Sequence, residues 1–148
     1  MNGSTKYYPT KFKVSSFPEN KAVLQTLKSR GIAAGILSNG DPQMLAVAVK
    51  SAGFDGLLDP LLSVHEIRRY KTDPAAYALG PAALKLPARD ILFVSSNGWD
   101  AIGAAWYGYT SFWVNRLDAP LEQLGGRPHG TGKTLAEDYP SVDALRKA

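Results

Sequence analysis

Four short apolar runs without polar alternation recur along the chain: residues 32–37 (IAAGIL), 61–64 (LLSV), 91–95 (ILFVS) and 111–114 (SFWV). A strand that stays apolar on successive residues is covered on both faces, which points to a parallel sheet packed between helices. The segments between the runs have helical grammar. Residues 19–30 place Val23, Leu24 and Leu27 on one face before Gly31. Asp41-Pro42 supplies an N-cap and a first-turn proline for a helix reaching residues 49–52, which Gly53 ends. Asp73-Pro74 repeats that start for a helix to about residue 85, and Asp100 opens another to about residue 107. The expected fold class is α/β, a Rossmann-like parallel sheet with helices on both faces. Beyond Asp118 the chain is rich in glycine and proline, and only residues 142–147 read as helix again.

Size and composition narrow the function. A chain of 148 residues with 45% hydrophobic content can bury one core. Cysteine is absent, so disulfides and thiolate metal sites are excluded, and a nucleophile must be an oxygen or nitrogen group. No apolar run is long enough to span a bilayer, and the N-terminus lacks a signal-like apolar stretch. A cytoplasmic protein without a membrane partner is expected. The formal charge of +4 comes from scattered Lys and Arg, which suits a small anion better than nucleic acid.

In an open parallel sheet, ligands bind where strands end and helices begin. Three loops therefore matter. Ser38-Asn39-Gly40 offers a hydroxyl, an amide and the start of the next helix to an anion, although an ordinary turn explains it better when taken alone. Lys71, just ahead of Asp73-Pro74, could hold a carboxylate, yet most such lysines are merely solvated. The stretch from Ser95 through Asn97 and Trp99 to Asp100 crowds polar groups at one strand end. Asp100 there could pair with Lys71, or only favour a helix start.

Together these loops are familiar. LSNGDPQML, YKTDPAAYAL and FVSSNGWDAIGAAWYGYTSFWVNR resemble the second, third and fourth conserved blocks of L-2-haloacid dehalogenases, in the haloacid dehalogenase (HAD-like) superfamily, over residues 17–117. That divides the chain into a non-matching segment 1–16, a HAD-like core 17–117 and a tail 118–148 with a short helix. The resemblance implies a hydrolase in which an aspartate displaces halide from C2 of a small 2-haloacid and water cleaves the ester, with no metal or other cofactor. Ser38 would bind the substrate carboxylate and Asn39 the departing halide. Lys71 would neutralise charge, and Ser95, Asn97 and Asp100 would position Lys71, the aspartate and the water. Tyr77 and Trp99 match positions lining the substrate site. Homodimers are common among such proteins, and the oligomeric state here is left open.

The first block of that family, a central strand ending in the nucleophilic aspartate, has no counterpart upstream of Phe17, where no aspartate precedes Asp41. The expectation is a core incomplete at its N-terminus, with a gap between strands 33–37 and 91–95 that residues 12–14 could partly fill. A truncated product inactive alone, or a non-catalytic interaction module, is the alternative of a different class. A phosphatase is the alternative within the superfamily, disfavoured because Asp100 is the sole acid in the fourth block. GGRPHGTGKT lacks the spacing of a phosphate-binding loop, and His65 and His129 have no second ligand at metal-binding spacing.

Overall fold

A computed structural model describes residues 17–138. The chain forms α1 (Pro18–Ser29), β1 (Ile36–Ser38), α2 (Pro42–Ser51), β2 (Leu61–Ser63), α3 (Pro74–Tyr77), α4 (Leu79–Leu84), β3 (Leu92–Ser95), α5 (Gly98–Tyr107), β4 (Thr110–Val114) and β5 (Gly130–Gly132). Single 3-10 turns lie at Ala88–Asp90 and Leu135–Asp138. Among the described residues the strand pairing is parallel, in two sheets ordered β1-β2 and β3-β4-β5. This is the expected α/β architecture.

The predicted gap is present among the described residues, because β1 and β3 belong to different sheets. A cavity of about 710 Å³ is lined by residues of both, including Ile36 and Leu37 of β1 and Leu92, Phe93 and Val94 of β3. Residues 12–14 lie outside the described residues, as does the helix expected at 142–147.

Several boundaries differ from the sequence reading, each for a local reason. The run 32–37 contributes only its end to β1. Asp59 and Pro60 continue the contact with Ala34 and Ile36, but proline has no N–H to donate and the regular ladder begins after it. The helix expected from Pro74 to about residue 85 is broken into α3 and α4. Pro81 removes the N–H that would bond to the Tyr77 carbonyl one turn back, and its ring crowds that carbonyl. Helix α5 starts ahead of Asp100, with Asn97 as N-cap, so Asp100 sits inside the first turn. Strand β5 was unforeseen in the tail. It adds to the edge of β4 by running against the Phe112 ring, a contact that a side chain at Gly130 would obstruct.

The core lies under the second sheet. Ala101, Ile102 and Ala104 on α5 are fully buried where that helix packs on β3 and β4, alongside Phe112, Trp113 and Val114 of β4. Tyr77 and Tyr109 join them, with Phe93 and Tyr107 packed against both rings.

Candidate active site

Strands β1, β2 and β3 each end on a serine, and the loops that follow meet at one end of the two sheets. Ser38 Oγ accepts from the Gly40 amide at 3.0 Å, turning the chain towards α2. Asp41 caps that helix by accepting from the Met44 amide at 2.9 Å. Ser63, in register with Ser38, donates to the Gly40 carbonyl at 2.6 Å and accepts from the His65 amide at 3.1 Å. The turn after β1 is thus held in shape by a hydroxyl from each strand.

Asn39 crosses to the next loop, where its Oδ1 accepts from the Lys71 backbone amide at 3.0 Å. The Lys71 side chain turns inward. Its Nζ lies 2.9 Å from Asp100 Oδ2, and the two side chains are only 8% and 6% exposed. The ammonium also stands 5.0 Å from the centroid of the Phe93 ring, a cation–π contact with little water to weaken it.

Asp100 is the hub. Oδ2 receives both Lys71 Nζ and the Ser95 hydroxyl at 2.9 Å, while Oδ1 receives the Tyr77 hydroxyl at 2.9 Å. A buried carboxylate satisfied by one ammonium and two hydroxyls is a fixed negative charge in a first helical turn, where the macrodipole favours it. Ser95 Oγ accepts from the Asn97 amide at 3.1 Å, and Ser96 offers its carbonyl to Trp113 Nε1 at 3.2 Å, so the loop between β3 and α5 is tied at both ends.

Asn39, Lys71, Asp100, Ser95 and Asn97 are therefore joined by a short chain of hydrogen bonds, with Ser38 next to Asn39 at the end of β1. Asn97, at the start of α5, is exposed and its side chain makes no capping bond. Trp99 stands beside it in the first turn, half-buried. Tyr77 enters from below and is 1% exposed, with its hydroxyl spent on Asp100. Residues that sequence reasoning passed over are Ser63, Phe93 and Trp113. The serine ending LLSV repeats the pattern of ILS and LFVS and could have been noticed; the two aromatics look like ordinary core until the lysine is placed.

Burial raises the pKa of Tyr77 well above the ordinary phenol value of 10.0, and the neighbouring Asp100 charge adds to the effect. Burial does the same at Tyr109, with Tyr107 contributing. A group whose folded pKa lies above its unfolded value gives stability in full below the unfolded pKa, and loses it as pH rises beyond that point towards the folded pKa. Urea midpoints should therefore fall as pH is raised past 10, and fall less steeply in Tyr77→Phe. Parallel pH profiles for the two proteins would show that Tyr77 is not held neutral by the fold.

Residues 11–108 match the family model described as haloacid dehalogenase-like hydrolase. The chain belongs to that family. Among relatives, it is 42% identical over 116 residues to an (S)-2-haloacid dehalogenase of Pseudomonas sp. (strain YL), covering 78% of this chain and 50% of the relative. It is 40% identical over 133 residues to haloacetate dehalogenase H-2 of Moraxella sp. (strain B), covering 90% and 56%. A crystal structure of an L-2-haloacid dehalogenase is similar at TM-score 0.83 and 56% identity, with 87% of this chain and 57% of that one covered. The L-2-haloacid dehalogenase of Xanthobacter autotrophicus is similar at TM-score 0.80 and 29% identity, covering 89% and 62%. The chain thus spans about half the length of the curated relatives it matches. Phosphatase structures at 20% identity share the fold.

Proposed function

We propose that these residues form the charge-placing part of a 2-haloacid dehalogenase, whose nucleophilic aspartate comes from a segment not represented in the 148 residues. The observation that carries this reading is the buried Lys71–Asp100 pair, locked by Ser95 and Tyr77 at the mouth of the strand ends. The reaction in this reading has two steps. A carboxylate oxygen forms a bond to C2 of an L-2-haloacid while the carbon–halogen bond breaks and its electron pair leaves as halide, inverting the centre. Water then adds to the resulting ester, regenerating the carboxylate and releasing a D-2-hydroxyacid.

Lys71 lowers the cost of bringing two carboxylates together, and Asp100 holds its ammonium in place. Ser38 receives the substrate carboxylate, Asn39 receives the halide, and Asn97 and Ser95 orient the nucleophile and the water. Trp99 borders the substrate, whereas Tyr77 acts by holding Asp100. The donor set favours this over metal-dependent phosphoryl transfer: residues 95–97 are Ser, Ser and Asn, and both oxygens of Asp100 are already engaged. The alternative of a non-catalytic module has the missing nucleophile in its favour and the intact network against it.

The test is a chimera in which residues 17–117 replace the matching stretch of the Pseudomonas sp. (strain YL) relative. Chloride release from L-2-chloropropionate, lost by several orders of magnitude on Lys71→Ala, is the expected result. A chimera equally active with Lys71→Ala would rule the reading out.

A further inference from the structure

The break between α3 and α4 leaves a polar group to be accounted for. Pro81 cannot donate to the Tyr77 carbonyl one turn back, so that buried carbonyl needs another partner. The Tyr109 hydroxyl supplies it from the start of β4, donating at 2.5 Å. The same hydroxyl packs closely against Gly80 in the following helix. The fit depends on residue 80 being glycine, because a β-carbon there would collide with the Tyr109 hydroxyl. Tyr109 is 2% exposed and its ring meets that of Tyr77 edge-on at 6.3 Å.

Tyr77 is thus gripped at its backbone by Tyr109, while its own hydroxyl grips Asp100, 2.9 Å from Lys71 Nζ at the other oxygen. We propose that Tyr109 is a positioning residue for Lys71, acting through the Tyr77 carbonyl and the Asp100 carboxylate. Tyr77 can aim its phenol only if the end of α3 is fixed, and a helix of four residues interrupted by proline does not fix its own end. Tyr109 anchors that end to the sheet. This inference rests on the reading that Lys71 is the working cation.

The experiment observes Lys71 itself, so its failure is distinct from a failure to dehalogenate. The 148-residue protein, labelled with 15N-lysine, should show a slowly exchanging ammonium resonance for Lys71, identified by its loss in Lys71→Met. Tyr109→Phe keeps the ring and removes the hydroxyl. Ammonium exchange with water should then quicken about fivefold, the factor of one net hydrogen bond, as it should in Tyr77→Phe. Tyr107→Phe, in the same ring cluster but outside the hydrogen-bond chain, should leave the exchange unchanged. If Tyr109→Phe does not fold, Gly80→Ala decides, since it displaces the hydroxyl while retaining every polar group. Unchanged exchange in folded Tyr109→Phe, or in Gly80→Ala where that variant decides, overturns the proposal. So does equal acceleration in Tyr107→Phe, which would assign the effect to ring packing.

Discussion

Purified alone, the 148-residue chain is expected to release no chloride from L-2-chloropropionate. The polar network can place charge, orient water and receive an anion, but none of these forms the ester bond, and losing a nucleophile costs several orders of magnitude in rate. The aspartates from Asp41 to Asp100 are poorly placed to serve instead. Asp100 is saturated by Lys71, Ser95 and Tyr77. Asp41 and Asp73 are helix caps, bound to the amides of Met44 and Ala75. Asp55 and Asp59 are exposed on the connection between α2 and β2, and Asp90 is exposed beside Arg89. None ends a strand facing Lys71. The measurement is chloride accumulation over time, run beside Lys71→Ala. Turnover that disappears in the variant would mean that another carboxylate of this sequence attacks the substrate, and the assignment of the nucleophile to an unrepresented segment would have to be dropped.

The parts of this molecule that were legible in the sequence are those governed by local chemistry. Continuous apolar runs marked the parallel strands, of which β4 is the one buried along most of its length, and Asp-Pro pairs marked the starts of α2 and α3 to the residue. The three polar loops could be placed at one end of the sheet because strand direction alone fixes that. What stayed hidden depends on distant partners. Nothing local says that Gly130–Gly132 is a strand, because its glycines matter only once Phe112 lies beside them. The apolar length of residues 74–85 suggests one helix, which Pro81 divides. The consequence of the break, a carbonyl handed to Tyr109, needs β4 to be in position. The bond with which Tyr77 supports Asp100 is of the same kind, since a buried phenol with little water nearby takes the strongest acceptor within reach.

That support has an energetic consequence, expected to be the largest of any single substitution in the network. Asp100→Asn preserves shape and removes the charge, leaving the Lys71 ammonium buried opposite a neutral amide that cannot compensate it. Breaking a buried pair from one side costs about 3–5 kcal/mol, or a fall in Tm of roughly 10 °C for a domain of this size. The converse change, Lys71→Met, should be milder. It leaves a buried carboxylate, but Ser95 and Tyr77 still donate to it, so the charge is not stranded. Combining the two removes both charges and should recover part of the loss, making the pair strongly non-additive. Urea unfolding of the parent, the two single variants and the double variant gives all four corners of this cycle. The outcome that would sink the idea is a double variant as unstable as the sum of the singles, or Lys71→Met costing more than Asp100→Asn. Either result would mean that the carboxylate, and not the ammonium, is the charge that depends on its partner, so Asp100 could no longer be regarded as the residue that holds Lys71 in place.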